Sequence, residues 1–339
     1  MKIVTQKDIR GRPLAGKTVA VIGFGSQGEA QALNLRDSGV RVVVGLRPRS
    51  RSAARARRAG LKAASVREAA GCGDVVALLV PDEVAREVFE ADVAGRLREG
   101  AAVLFSHGFA VRFGGLVVPD GHDVVMVAPM GPGLRLRERY LEGSGLPASF
   151  AVGRDASGRA RRTALGYAKA IGCARVGLFE TTFAEETEID LFAEQAVLCG
   201  GVTRLVTAAF DTLVEAGYDP ALAYMECLYE LDLTVNLIHR YGISGMRERI
   251  SRTALFGDLT RGGQVIGPES RDGMRNVLAQ VRSGLFAGEW LEDRRQGYAA
   301  LRERLVEECS RPIEKVGRRL GPIAHEPAAR ARRPRHRTG

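Results

Sequence analysis

Four carboxylates stand at an interval that suits divalent cations. In EETEIDLFAEQAVLCGG, Asp190 and Glu194 lie four residues apart, with Glu186 one turn upstream; in AYMECLYELDL, Glu226 and Glu230 repeat the interval. On a helix that spacing brings both acids of a pair to one side. Leu191, Leu198, Leu228 and Leu231 make these helices substantially apolar, and like charges so placed repel unless a cation compensates them. Mg²⁺ is hard and oxygen-seeking, and two pairs point to two ions. A solvated acidic edge would account for either pair alone; two pairs on two apolar helices favour metal.

A second chemistry is written in VAVIGFGSQGEAQAL, where Gly23, Gly25 and Gly28 follow an apolar run and open an amphipathic stretch. Between a strand and a helix, this G-x-G-x-x-G pattern lets backbone N–H groups approach a pyrophosphate at the helix N-terminus, which predicts a dinucleotide site rather than a bare tight turn. An NAD site usually offers Asp or Glu about 20 residues further on, to bond the ribose 2′-hydroxyl. Here the sequence reads Arg47-Pro48-Arg49-Ser50-Arg51-Ser52. Guanidinium and hydroxyl groups suit a 2′-phosphate, so NADP(H) is expected in preference to NAD; a basic surface loop is the plainer alternative. A third stretch, Ala128-Pro129-Met130-Gly131-Pro132-Gly133, forms a stiff turn where little but backbone can approach a ligand. At its centre, where something polar would be usual, stands a methionine.

The elements that must hold these groups follow from patterning. Apolar runs at 18–22, 40–44, 75–80, 103–105, 124–127, 150–152 and 176–179 alternate with helical patterns such as 83–97 and 157–171. That predicts an α/β Rossmann domain with a doubly wound parallel sheet. After Thr182 strand signals nearly vanish, and 186–199, 202–215, 220–240 and 269–283 read as helix. The expected domains are 1–181 for the nucleotide, 182–325 all-α for metal and substrate, and a disordered basic tail at 326–339.

The formal charge of +10 raises the question of nucleic acid. Half of that excess sits in the last ten residues, arginines outnumber lysines 44 to 6, and basic residues are not interleaved with aromatic ones. No nucleic-acid partner is expected. No apolar run approaches the ~18 residues of a membrane span, and MKIVTQKDIRGRPLAGK lacks an apolar signal region, so a cytoplasmic protein with no membrane association is expected. The five scattered cysteines read as reduced thiols.

GFGSQG, NLRDSGV, LLVPDEV, SHGF, ETTFAEETEIDLFAEQAVLCGG, TLVEAGYDPALAYMECLYEL and RPIEKVG together resemble the short-form (class I) ketol-acid reductoisomerases, from about residue 2 to about residue 320. The resemblance implies a knotted all-α C-terminal domain and a homodimer whose subunits share active sites. It implies cofactor contacts from Phe24, Gly25, Ser26 and Gln27; from Arg47, Ser50 and Ser52 at the 2′-phosphate; and from Asp82, Glu83, Val84, Ala85 and Gly133. His107 falls on the family's active-site histidine, Ser251 on a substrate-contacting serine, and Asp190, Glu194, Glu226 and Glu230 on the ligands of two Mg²⁺. The reaction implied is Mg²⁺-dependent alkyl migration in 2-acetolactate or 2-aceto-2-hydroxybutanoate. NADPH reduction to a 2,3-dihydroxy-3-methyl acid follows, as in valine and isoleucine synthesis.

The departures gather around that site. The family has lysine at 130 and histidine at 134, where this chain has Met130 and Leu134; its GHAHAL reads Gly28-Glu29-Ala30-Gln31-Ala32-Leu33. Tyr229 and Asp232 replace a usual histidine and lysine, and the segment around Ser251 reads Glu248-Arg249-Ile250-Ser251-Arg252-Thr253-Ala254-Leu255-Phe256. Three readings therefore stand: an attenuated reductoisomerase, a diverged paralogue acting on another 2-keto acid, and a non-catalytic homologue. The two carboxylate pairs disfavour a plain, metal-free β-hydroxyacid dehydrogenase.

Overall fold

A computed structural model describes residues 3–324, so the tail expected at 326–339 lies outside the described residues. The chain forms two compact units, the first ending at Asp190 and the second beginning at Leu191. The division thus falls inside a helix, Phe183–Ala193, rather than at its start. Phe183, Glu186 and Thr187 are buried, and Phe183 packs edge-on against Phe105 at 5.9 Å, so the opening turns of that helix belong to the first unit.

The first unit contains β1 (Thr18–Ile22), α1 (Ser26–Asp37), β2 (Arg41–Leu46), α2 (Ser52–Arg58), β3 (Lys62–Ser65), α3 (Val66–Cys72), β4 (Val75–Leu78), α4 (Asp82–Val88), β5 (Ala102–Phe105), α5 (Phe109–Arg112), β6 (Asp123–Pro129), α6 (Gly133–Leu141), β7 (Ala148–Arg154), α7 (Ala160–Ala170) and β8 (Leu178–Glu180). The strands form one sheet in the order β3-β2-β1-β4-β5-β6-β7-β8. Central strands such as VVAL of β4 are buried along their whole length, as expected when helices cover both faces. Apolar residues fill a core on each face. The strand order reverses at β1, between β2 and β4, and ligands of open α/β sheets bind at the carboxyl ends of strands beside such a point.

Two expectations need correction. The sheet is not wholly parallel: β7 runs antiparallel to β6, with an irregularity at Val124/Val125, and β8 then runs parallel to β7. The connection from β6 runs through α6 and brings the chain back antiparallel beside β6, a choice invisible in an apolar run. β3 escaped detection because its four residues, KAAS, lie half-exposed and carry no alternation.

NLRDSG is a structural motif. Buried Asn34 donates to the Ile171 carbonyl at 3.0 Å and accepts from Arg137 at 2.8 Å, and Asp37 pairs with Arg137 at 2.6 Å. Ser38 donates to the Ala170 carbonyl at 2.6 Å. The motif ties α1 to α6 and to the end of α7.

From Phe183 onward the described chain is helical: α8 (Phe183–Ala193), a wide turn at Glu194–Leu198, α9 (Gly200–Glu215), α10 (Pro220–Tyr224), a second wide turn at Met225–Tyr229, α11 (Glu230–Arg247), α12 (Arg252–Val265), α13 (Pro268–Ser283), α14 (Leu285–Arg295), α15 (Ala299–Ser310) and α16 (Pro312–Ala324). The helical run expected at 220–240 is therefore continuous but holds one widened turn. The second unit's core is small, built on Val206, Phe210, Ala223, Tyr224 and Ile313. A Cβ at Gly317 would meet the Tyr224 ring at 3.0 Å, so α16 and α10 pack closely there. The continuous helical run Phe183–Glu215 is long and apolar enough to cross a membrane by length and composition, with 11% of its most apolar window buried. Scanning for unbroken apolar runs missed it because single charges interrupt the apolar residues.

Candidate cofactor and metal site

The three glycines of the loop after β1 have three different jobs. Gly23 has φ +100°, and a Cβ there would strike the Leu79 carbonyl. Gly28 packs against the Gly23 carbonyl, whereas a Cβ at Gly25 would meet no protein atom within 4 Å. That empty space is where backbone could approach a phosphate. Gly25→Ala is accordingly expected to keep the wild-type melting temperature while weakening dinucleotide binding about tenfold or more. Gly28→Ala is expected to lower the melting temperature itself. Calorimetry combined with fluorescence titration separates the two, and equal melting losses would refute the division of labour.

Gly133 begins α6 directly against Ser26, the first residue of α1, with no room for a Cβ. The two N-termini meet, and Gln27 of α1 donates from Nε2 to the Gly131 carbonyl at 2.9 Å. Phe24 is buried as a whole residue, at 3% exposure; Arg55 donates to the Phe24 carbonyl at 2.7 Å and pairs with Glu29 at 3.0 Å. In the loop after β2, Arg47 is exposed, Arg49 adopts the left-handed φ of +57°, and Ser50 Oγ accepts the Ser52 N–H at 3.3 Å.

A cavity of about 200 Å³ lies at the carboxyl ends of β4 and β5, lined by Gln27, Leu79, Val80, Asp82, Ser106 and His107 among others. Of the expected cofactor residues, Gln27, Asp82 and Ala85 form its walls, while Glu83 and Val84 do not.

At its rim, His107 Nδ1 is 3.2 Å from Glu186 Oε1 and 3.5 Å from Asp190 Oδ2. Glu186 Oε2 also accepts the Gly108 N–H at 2.9 Å. Ligand atoms of His107, Glu186 and Asp190 all fall within 4.8 Å of one another. Burial works against a charged imidazole, yet the Glu186 hydrogen bond and the charges of Glu186, Asp82 and Asp190 outweigh it and raise His107 to about 9. Asp190 is raised by its own burial and by Glu186 and Asp82, against the pull of His107. A place that holds an imidazolium among three carboxylates stabilises positive charge, and its oxygen donors have the hardness that Mg²⁺ prefers. The residues fit the ion. Glu186 was absent from the expected ligands; its signal was its place one turn before Asp190 on the same helix.

Glu194, Glu226 and Glu230 lie in the second unit, and Glu226 and Glu230 are exposed. Each acid pair adjoins a turn that holds one extra residue: Cys199 N–H donates to the Glu194 carbonyl at 2.9 Å, and Glu230 N–H donates to Met225 O. The interval from Glu226 to Glu230 therefore crosses a widened turn rather than regular α-helix, a feature frequent at functional sites. Ser251 is the N-cap of α12, its Oγ accepting the Ala254 N–H at 3.1 Å; it keeps its own hydrogen to donate. Met130 is 50% and Leu134 68% exposed.

Residues 13–177 match the family model described as acetohydroxy acid isomeroreductase, NADPH-binding domain, and residues 183–325 match ketol-acid reductoisomerase, C-terminal domain. An NADH-preferring ketol-acid reductoisomerase from an uncultured archean is 40% identical, covering 96% of this chain and 100% of its own, with a TM-score of 0.93. A semialdehyde dehydrogenase NAD-binding protein from Cupriavidus necator is 20% identical over 77% of this chain and 99% of its own, with a TM-score of 0.53. A 1-pyrroline-5-carboxylate reductase from Streptococcus pyogenes is 14% identical over 79% and 98%, with a TM-score of 0.50. These last two share the fold alone.

Proposed function

The chain belongs to the ketol-acid reductoisomerase family, and from that premise we propose that it isomerises and reduces a 2-hydroxy-3-keto acid of the 2-acetolactate type. The cofactor would be NADPH, and the product the 2,3-dihydroxy-3-methyl acid of branched-chain amino acid synthesis. The observation that carries this reading is the His107–Glu186–Asp190 cluster at the rim of the cavity that follows β4 and β5.

Asp190, Glu194, Glu226 and Glu230 would hold two Mg²⁺, with Ser251 reaching the substrate. When bound, the metal would supply Lewis-acid polarisation of the hydroxyl and keto oxygens, and the nicotinamide would supply hydride. The chain's own groups do the rest. Gly25 and Ser26 leave the approach for a pyrophosphate at the start of α1, while Leu79 and Val80 form apolar parts of the cavity wall. Glu186 holds His107 at Nδ1 and the following Gly108 N–H at once, so the ring is fixed beside Asp190. The preference for NADPH rests on Arg47, Ser50 and Ser52, whereas the 40%-identical relative prefers NADH.

A second copy of the chain is the expected partner. In the second unit, Leu222, Leu233, Phe256, Leu259 and Val306 are exposed, apolar side chains of the kind that oligomer interfaces cover. The acids within Phe183–Glu215 fit a subunit interface and shared active sites better than a bilayer, and we assign a cytoplasmic location.

The decisive experiment follows oxidation of NADPH, and separately NADH, with Mg²⁺ and either 2-acetolactate or the rearranged 3-hydroxy-3-methyl-2-oxobutanoate. Turnover of both, faster with NADPH, is expected. Turnover of the rearranged ketoacid alone would mean that isomerisation is lost, and turnover of neither despite cofactor binding would sink the proposal. The second outcome is a live reading in its own right, because Met130 carries no proton to transfer.

A further inference from the structure

Gln31 lies in α1 with 0% exposure, and its amide is engaged on every side. Nε2 donates to Gln27 Oε1 at 3.0 Å and to Ser106 Oγ at 2.9 Å, while Oε1 accepts from the Tyr167 hydroxyl at 2.8 Å. Tyr167 is itself wholly buried, and burial pushes its phenol upward, which keeps it neutral and able to donate. Gln27 passes the chain outward, from Nε2 to the Gly131 carbonyl at 2.9 Å.

The direction of this chain is fixed by chemistry. A carbonyl can only accept, so Gly131 requires the Gln27 amino group to face it; Gln27 Oε1 then faces inward, and only the Gln31 amino group can answer. Both hydrogens of one nitrogen are thereby spent on two different partners. One leads to Ser106, the neighbour of His107, and the other leads through Gln27 to the Met130–Gly133 turn. Neutral histidine, which the family pattern has at this position, offers one donor and one acceptor. It could satisfy Tyr167 and one loop, but not both.

We propose that Gln31 is a positioning residue that couples the Ser106–His107 loop, which lines the cavity, to the Met130–Gly133 turn through the glycine-rich helix, ordering the two together. The role in catalysis rests on reading that cavity as the nicotinamide site; the coupling itself does not. Gln31 touches neither expected reactant and acts through Gln27 and Ser106.

Hydrogen exchange of the ligand-free chain, read residue by residue, tests it, with NADPH affinity measured alongside. In Gln31→Leu, the amides of Ser106, His107 and Gly108 and those of Met130, Gly131 and Gly133 should exchange about tenfold faster together, with β1 unchanged. NADPH should bind about tenfold more weakly. Gln31→His should release one loop and keep the other. Should Gln31→Leu fail to fold, Gln27→Met removes only the outward arm and should release Met130–Gly133 while leaving Ser106–Gly108 protected. Wild-type exchange at both loops in a folded Gln31→Leu chain, or a uniform rise across the whole unit, overturns the proposal. Because exchange is read without substrate, failure of the reductoisomerase reading would leave this result standing.

Discussion

Met130→Lys is expected to raise turnover of 2-acetolactate by about 10²–10⁴, the range that a positioned acid–base group contributes. The family pattern places lysine at this position, and methionine fills similar space without charge or proton. The structure gives the substitution good prospects of being read cleanly. Met130 is held by its backbone, its N–H donating to the Pro147 carbonyl at 2.9 Å, and its side chain is half exposed. A lysine there meets no buried apolar wall, so the turn need not move. Reduction of the rearranged ketoacid, which needs no alkyl migration, should change far less. Equal gains with both substrates, or no gain with either, would show that position 130 does not limit isomerisation in this chain.

Asp190→Asn is expected to reduce turnover of either substrate by about 10³ and to abolish stabilisation of the protein by Mg²⁺. The substitution keeps shape and removes one charge from a cluster in which Glu186, Asp82 and Asp190 raise His107 to about 9 against its burial. A ligand at a hundred times its dissociation constant stabilises a protein by about 2.7 kcal/mol, enough to read as a rise of several degrees in melting temperature. Wild-type protein should show that rise when Mg²⁺ is added, and Asp190→Asn should not. NADPH binding should survive, because Gly25, Gln27 and Arg47 stand on β1–α1 and the loop after β2, not on α8. A variant that still responds to Mg²⁺ would remove Asp190 from the proposed ligands. A wild-type chain that shows neither response nor turnover would favour the non-catalytic reading.

The sequence by itself determined the fold class, the glycine loop and the acid pairs, because each is written in local spacing. Strand β1 runs from Thr18 to Ile22 as its pattern indicated, and Gly23, Gly25 and Gly28 follow it directly, since a strand–turn–helix junction is decided within a dozen residues. Local spacing also marked Asp190 and Glu194 as neighbours along one helix. It could not reveal that Glu186 grips His107 and Gly108 from 79 and 78 residues away, nor that β7 turns antiparallel beside β6. NLRDSG was visible as a motif, but its work, pinning α1 to α6 and α7 through Asn34, Asp37 and Ser38, depends on partners a hundred or more residues distant. Gln31 shows the same limit most clearly. In the sequence it is one polar residue on a helix; in the folded chain its amide meets Gln27, Ser106 and Tyr167 together. Which distant donors and acceptors meet in a buried space is decided by tertiary packing, because only there does an unmet hydrogen bond cost enough to select one arrangement.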